Sequence, residues 1–566
     1  MSQSIDNLSP QQKRELLAKF IQESAKKKSI KFPLSYGQKA LWFLYELAPE
    51  SAAYNIVYAA RLGKNIKINV LRKALEYVVQ RHPALRTTYT KKDGEPIQTV
   101  QSDLPLEFTI IDSSNWTKSE IQAWIDKKAD QPFELEKSVF RVDLLNPLDT
   151  QNSDCQDFSI LLLTIHHIAV EFWSFEILLN ELQIIYDAIE QQQTPVFPTI
   201  SKNYRDFVEQ EAKKLASPEG EKLCNYWKNK LSGELPVLDL PADFPRPPVQ
   251  TYNGTSYAFD LGKELSNQLR ELAQSQGVTL YTLVLTAFQI LLSRYCNQEE
   301  VLIGTPLVNR SQTEFEKVIG YFVNLVVIKT DLSGQPTFKQ LLSQVQKTVL
   351  EALEHQDYPF PLLVNQLQIE RDPSRSPLVQ VSFAWEKVRE QGNLEPTNIK
   401  KRDNLLLFET LKYEQRGSDF DLSLTISDTG HNLECLWGFN TNLFNKETLA
   451  RMAINWKLLL QGVLSNPEQN ISQLPILSEN EKYRNLVEWD NTAAKYPKDK
   501  CIHQLFEEQA EKTPDAVAVV CEEKQLTYQE LNQKANQLGT YLQKKGVKPD
   551  DLVGICVERS LEMIIG

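Results

Sequence analysis

Paired cysteines are missing from this chain: seven are scattered over 566 residues and none stands in a CxxC spacing. That excludes zinc-ribbon and thioredoxin-like motifs, and an odd number spread so widely predicts reduced, unpaired thiols. No HExxH pattern occurs, which removes the common zinc-protease arrangement. No run approaches the roughly 18 apolar residues that a membrane helix needs, and the N-terminus has no hydrophobic signal core. Positive charge is in deficit, 62 Lys and Arg against 74 Asp and Glu for a net charge of −12. That balance argues against nucleic acid as the main partner. Tandem repeats and low-complexity tracts are also lacking. These absences predict a soluble cytoplasmic protein with no membrane and no nucleic-acid partner.

What is present is a long chain of ordinary hydrophobic content, enough for about three or four compact units. Residues 1–30 read as a charged helical extension, LSPQQKRELLAKFIQESAKKKS, with Ser9 as N-cap and Pro10 in the first turn. From there, helical and strand patterns alternate. INVLRKALEYVVQRH reads as a helix, PIQTVQ as a strand and SEIQAWIDKKADQPF as a helix. The segment LPVLDLPADFPRPPVQTYNG (235–254) is the clearest internal boundary. After it TLYTLVLTAFQILLSRY reads as a helix, with EVLIGTPLV and FVNLVVIKTDL as strands. The expectation is an α/β layered fold with lobes at 31–230 and 231–475, the proline-rich stretch joining them. A polar linker at 476–500 follows, and 501–566 reads helix, strand, strand, helix, strand. That last piece ends in mid-element and reads as the truncated start of a larger domain.

The chain has only six histidines, and two are adjacent, His166 and His167, in FSILLLTIHHIAVEFWSFEILLNEL. Residues 158–165 form a short, uncharged, β-rich run. From Phe172 onward Phe175, Leu178, Leu179, Leu182 and Ile185 recur at helical spacing. Neighbouring strand side chains point to opposite faces, so one imidazole can face the core and the other a cleft. Residue types alone leave three readings open. These are a pair of structural histidines, a metal site using Glu171, and acid–base or positioning chemistry by one cleft-facing ring. No third metal ligand is evident.

Several motifs in order resemble the condensation domain of nonribosomal peptide synthetases. They are LSYGQKALWFLYELAPESAAYN (34–55), RHPALRTTY (81–89), HHIAVEFWS (166–174), YRDFVEQ (204–210) and IGYFVN (319–324), followed by HQDYPFPLLVNQL (355–367) and RDPSRSPLVQVSFAW (371–385). The third sits where that family carries HHxxxDG. LTYQELN (526–532) resembles the first core motif of an adenylation domain, whose nucleotide-binding parts lie beyond Gly566. The resemblance implies two chloramphenicol-acetyltransferase-like lobes in a V with a central tunnel, plus a partial adenylation fragment. It implies amide formation between a carrier-bound donor acyl thioester and the amine of a carrier-bound acceptor aminoacyl thioester. The chain itself would bind no cofactor and no metal, the phosphopantetheine arms belonging to the carrier proteins. The expected partners are a donor carrier arriving in trans, for which the 8–28 helix is a candidate docking element, a downstream acceptor carrier, and the rest of the adenylation domain.

By the same resemblance His167 is the catalytic imidazole, and His166 is a core or orienting residue. The family's Asp-Gly is replaced by Glu171 and Phe172. In the family that aspartate pairs with an arginine of the second lobe, and Arg310 in GTPLVNR is the matching position. Glutamate keeps the charge but reaches about 1.5 Å further, so a Glu171–Arg310 pair of altered geometry is expected. Phe172, with Trp173 and Ser174, would line the substrate tunnel and suits a fatty or polyketide acyl donor. Tyr321, Asn324, Ser382 and Trp385 come from motifs placed near the tunnel, Asn324 and Ser382 as polar contacts to the pantetheine arm or acceptor. Arg86, Tyr204, Asp206 and His355 are expected to be architectural. Rival functions are epimerisation, which uses the same doublet, and a non-catalytic carrier-recruitment module. Heterocyclisation is disfavoured because histidines, and not an aspartate-rich motif, occupy the doublet.

Overall fold

The computed structural model describes residues 29–63, 66–147, 158–310, 312–369, 372–387, 407–411, 417–488 and 497–566. The helix expected at 8–28 lies outside the described residues. The chain divides into two compact units, Met1–Ser478 and Glu479–Gly566.

In the first unit, a five-stranded sheet runs in the order Leu407–Leu411, Asn55–Leu62, Ile160–His166, Phe140–Asn146, Glu107–Asp112. Its central strand, ILLLTIH, is buried along its whole length, which explains why it reads as a continuous apolar run and not an alternating one. Alternate residues go to opposite faces. Leu161, Leu163 and Ile165 join a core with Leu75, Val78, Phe175, Leu178 and Leu182 from the helices Ile68–Arg81 and Phe172–Glu190. Ile160 and Leu162 pack with Ile121 and Ile125 of the helix Lys118–Ala129 on the other face. That helix is shorter than SEIQAWIDKKADQPF suggests. It is closed by Asp130, two residues ahead of Pro132, which cannot continue a helix.

A six-stranded sheet follows, in the order Val323–Asp331, Glu300–Val308, Val381–Lys387, Leu422–Asp428, Leu433–Asn440, Gly254–Asp260. Its core is large and aromatic, with Phe288, Phe383, Trp437 and Trp456 fully buried. The helix Leu280–Cys296 is apolar nearly all round, as a helix enclosed by sheet and neighbouring helices should be. A three-stranded sheet, Ile30–Pro33, Glu95–Val100, Thr87–Lys92, completes the unit.

The sequence reading treats 231–475 as one contiguous lobe, and the structure departs from this at one strand. Leu407–Leu411 leaves the second sheet's stretch of chain and pairs antiparallel with Asn55–Leu62 of the first. Backbone hydrogen bonds thus tie the lobes together. The proline-rich stretch has no regular structure but is pinned to the second lobe. Asp243 N–H donates to Leu443 O at 2.8 Å, and the Arg246 guanidinium grips the Asp421 carboxylate at 3.0 and 2.5 Å.

The second unit holds the helix Ile502–Lys512, a hairpin of Val517–Cys521 with Lys524–Thr527, the helix Tyr528–Lys544 and a final turn Leu561–Ile565. The last strand expected, DLVGICV (551–557), forms no ladder among the described residues. Its alternating apolar pattern meets no partner strand, and Leu552, Ile555 and Val557 are exposed. No single described helix is long and apolar enough to cross a membrane.

Candidate active site

The histidines sit where the central strand of the first sheet ends. His166 is its last residue, and its N–H is bonded to Val139 O at 2.9 Å. Beyond it the chain folds into a tight turn, Ala169 N–H to His166 O at 3.0 Å and Val170 N–H to His167 O at 3.3 Å. His166 is buried between Tyr45 and Phe133, and its Nδ1 accepts from the Ile168 N–H at 3.1 Å. Burial, with His167 and Arg141 nearby, pushes its pKa down to about 3. That agrees with an Nδ1 that must stay unprotonated to accept.

His167 is arranged in the opposite sense. Its ring is half-buried, and Nδ1 faces the Val170 carbonyl at 2.7 Å. A carbonyl only accepts, so Nδ1 carries the proton and the neutral ring presents the lone pair of Nε2. Burial holds this pKa below its ordinary value, with the Val170 carbonyl and Glu171 opposing. The ring meets Tyr321 edge to face, centroids 5.2 Å apart at 85°, and the backbone N–H of His167 donates to Tyr54 O at 2.8 Å. The result is a neutral imidazole of fixed tautomer, supported by residues of both lobes.

Glu171 caps the helix Phe172–Glu190, accepting from the Ser174 N–H at 3.2 Å. It is fully buried and pairs with Arg310, whose Nη2 and Nε lie 2.7 and 3.2 Å from Oε1. The pair holds more than itself. Arg310 also donates to Ser174 Oγ at 2.7 Å and to Phe315 O, while the Phe322 N–H donates to Glu171 Oε2 at 3.4 Å. Arg310 is stacked on the Phe322 ring, 4.0 Å from its centroid. A buried carboxylate therefore has its cation, and both lobes' backbones are bonded to the pair.

Several expected lining residues fall elsewhere. Ser174 does not line open space: it is fully buried, its hydroxyl receiving the Gly320 N–H at 3.1 Å as well as Arg310. Asn324 has no free amide for a ligand. It donates to Gln356 O and Tyr358 O at 2.6 and 2.8 Å and accepts from the Phe360 N–H at 2.9 Å. Ser382 is buried within the second sheet between Gly304 and Ser423. Trp385 packs edge-on to Tyr281 at 6.2 Å. Phe172, in contrast, opens the capped helix and is 51% exposed. Trp173 reaches across the lobes, its Nε1–H on Glu316 O at 3.1 Å. Tyr204 spans two segments, its hydroxyl donating to Tyr321 O at 2.6 Å with Ser35 Oγ at 3.0 Å. Arg86 donates to Gln101 O, Asp206 closes a capping box with Asn203, and His355 stacks on Tyr226 at 3.7 Å. Gly320 is forced by Tyr204: a Cβ there would lie 2.1 Å from the tyrosine ring.

The family model of the condensation domain matches residues 28–486, and that of the AMP-binding enzyme matches 506–566. The chain belongs to the condensation-domain family. It is 41% identical over 542 residues to a linear gramicidin synthase protein of Brevibacillus parabrevis, covering 94% of this chain and 10% of that protein. It is 33% identical over 541 residues to polyketide synthase PksN of Bacillus subtilis (strain 168), covering 95% of this chain and 10% of that one. The chain thus spans about a tenth of the length of these curated relatives. Among solved structures it is similar in fold to a four-domain nonribosomal peptide synthetase bound to AMP and glycine. That likeness has a TM-score of 0.74 at 23% identity, over 92% of this chain and 39% of that one. As a condensation domain, this one carries its histidine turn on the first sheet and the arginine that steadies it on the second. Sequence reasoning assigns no role to Tyr54, whose carbonyl accepts the His167 N–H at 2.8 Å. It falls inside the motif at 34–55, but what it contributes is a backbone carbonyl, which no side-chain pattern reveals.

Proposed function

We propose that this condensation domain joins a carrier-bound donor acyl thioester to the amine of a carrier-bound acceptor aminoacyl thioester, with His167 at the amine. The amine nitrogen adds to the thioester carbonyl carbon, the C–S bond breaks, and the amine proton passes to Nε2 and on to the departing sulfur. The observation that carries this reading is the fixed tautomer of His167. Nδ1–H is spent on Val170 O, which leaves the Nε2 lone pair to receive the proton. A thioester is already activated, so aligning the two arms is the larger demand. Orientation contributes about 7–11 kcal/mol in favourable cases, against about 10²–10⁴-fold for a general base. The phosphopantetheine arms come with the carriers, and this chain supplies their meeting place. His166, Glu171 and Arg310 act as the frame.

The exposed ring of Phe172, in place of the family's glycine and beside Trp173, favours an apolar fatty or polyketide acyl donor. A relative named as a polyketide synthase is consistent with that choice. A reducing cytoplasmic setting fits the six described cysteines, all of which are free.

The test supplies octanoyl- and aminoacyl-loaded carrier proteins and follows amide product by mass spectrometry for wild type, His167→Ala and Phe172→Gly. Loss of about 10²-fold or more in His167→Ala is expected, with Phe172→Gly shifting preference away from the octanoyl donor. Carrier binding without product from any donor class would favour recruitment. Inversion of the acceptor α-carbon without a new amide would favour epimerisation.

A further inference from the structure

Gly37 is the second residue of the helix Tyr36–Leu47, and its backbone is not in the left-handed region. Within a helix alanine is ordinarily preferred to glycine, so backbone freedom does not account for this residue. The space it leaves does. A Cβ there would lie 2.7 Å from Cε1 and 3.2 Å from Cδ1 of Tyr321, which belongs to the second lobe. Tyr321 packs both against the core of the first lobe and against the aromatic cluster of Tyr204, Phe315 and Phe322.

The Tyr321 ring also meets the His167 imidazole, edge to face at 5.2 Å. The backbone that carries the ring is fixed residue by residue. Gly320 N–H donates to Ser174 Oγ at 3.1 Å, Tyr321 O accepts the Tyr204 hydroxyl at 2.6 Å, and Phe322 N–H donates to Glu171 Oε2 at 3.4 Å. The Tyr204 hydroxyl lies 3.0 Å from Oγ of Ser35, the N-cap of the helix that holds Gly37. The start of that helix therefore holds Tyr321 twice, by hydrogen bonds through Tyr204 and by the room at position 37. The next helical residue, Gln38, donates through Nε2 to Ile168 O at 2.9 Å, which fixes the turn just after His167. With its backbone pinned, the ring has little freedom to yield to a methyl at 37 without moving against the imidazole.

We propose that Tyr321 is a positioning residue for His167, its ring wedged against the imidazole from the second lobe by a helix turn that carries no side chain at position 37. The Nδ1–H bond to Val170 O anchors the imidazole at one atom and by itself lets the ring rock about that anchor. Contact with Tyr321 removes this freedom and keeps Nε2 aimed in one direction. An aromatic contact of this kind is worth about a two- to twelve-fold factor, and misplacing a reacting group by about 1 Å costs up to about 10²-fold in rate. The functional half of this proposal rests on His167 serving amide formation, and the structural half does not.

Two measurements on the 566-residue chain separate those halves. In turnover with octanoyl and aminoacyl carriers, Gly37→Ala should lower kcat about ten-fold and leave KM for either carrier unchanged. Tyr321→Leu should lower kcat about two- to twelve-fold. Tyr321→Phe should restore most of that loss, because the ring and not the hydroxyl makes the contact. In Gly37→Ala/Tyr321→Leu the new methyl has no ring to push, so the double variant should be no slower than Tyr321→Leu. Ring-¹⁵N-labelled histidine has only six signals to resolve, with His167 assigned by loss in His167→Gln. Gly37→Ala should move the His167 signal, and adding it to Tyr321→Leu should move it no further. If Tyr321→Leu fails to fold, the Gly37→Ala spectrum still decides. An unmoved His167 signal in Gly37→Ala overturns the proposal, and so does an unchanged kcat where His167→Ala is impaired. A Gly37→Ala loss of the same size with leucine at 321 overturns it too, since the effect would not pass through the ring. Signals that follow the expected pattern with His167→Ala fully active would instead sink the proposed role of His167 and leave the contact standing.

Discussion

Replacing Arg310 by methionine leaves the Glu171 carboxylate buried without its cation. At 2.7 Å two unit charges attract by about 6 kcal/mol at an effective dielectric near 20. Most of this is offset by the cost of desolvating both. What the single variant loses is the compensation, and removing one member of a buried pair typically costs about 3–5 kcal/mol. Replacing both members by apolar residues is often neutral elsewhere, but this pair also serves neighbouring polar groups. Ser174 N–H and Phe322 N–H donate to Glu171, and Phe315 O accepts from Arg310. In Glu171→Leu/Arg310→Met those three groups are stranded at about 1–3 kcal/mol each where water cannot reach them. Even at the lower end of that range, the double variant should stay about 3 kcal/mol or more below wild type. Urea unfolding followed by tryptophan fluorescence measures this, with Trp173 5.6 Å from the guanidinium as a local reporter. A loss under about 1 kcal/mol in Arg310→Met, or a double variant as stable as wild type, would refute the reasoning.

Two further outcomes follow from the same geometry. The ratio of turnover with and without His167→Ala should stay level from pH 8 to 6.5 and fall only below that. Burial holds the imidazole's pKa under its ordinary value, so the base form persists into mild acid, and a ratio already halved at pH 7 would contradict this. Gly320→Ala should lower the thermal midpoint and slow turnover. Its methyl meets the Tyr204 ring at 2.1 Å, and that ring is tethered through its hydroxyl to Tyr321 O. Overpacking of this kind costs about 1–3 kcal/mol. Tyr204→Leu in the same chain should recover part of the loss, and an unchanged midpoint in Gly320→Ala would refute the clash.

Local signals carry much of the architecture. EVLIGTPLV is a strand from its first residue to its last, Glu300–Val308. The helix at Leu280–Cys296 is evident because seventeen residues run without a breaker. The histidine turn is legible because a buried strand must end where polar, cappable residues begin. What local pattern does not reveal is partnership at a distance. LLLFETLKYEQRG does not show that Leu407–Leu411 pairs with a strand some 350 residues earlier, since either lobe's sheet would accept such a strand. Ser174 and Asn324 look like free polar side chains in sequence, yet distant backbone groups claim them. Asp421 reads as an ordinary loop aspartate in SDFDLS, yet both Nη atoms of the distant Arg246 donate to it.

The weights of these contributions bear on how the site works under the proposed reaction. A general base supplies about 10²–10⁴-fold, roughly 3–5 kcal/mol, while aligning two tethered reactants is worth about 7–11 kcal/mol. Loss of the imidazole alone therefore costs less than loss of the frame that brings the arms together. That frame depends on segments remote in sequence meeting at one seam: the turn after Ile160–His166, Tyr54, the Gly320–Phe322 backbone and the loop at Gly417, which packs on Ala53. The crossing strand fixes the register of that seam through ladder hydrogen bonds, and the Glu171–Arg310 pair fixes it through a buried charge. Each of the two restraints is rigid and insensitive to the donor's identity. Phe172, exposed at the helix start and bonded to neither restraint, is free to vary with substrate. Under the proposed reaction, a bulky ring in place of the family's glycine would change what enters the site without disturbing the imidazole.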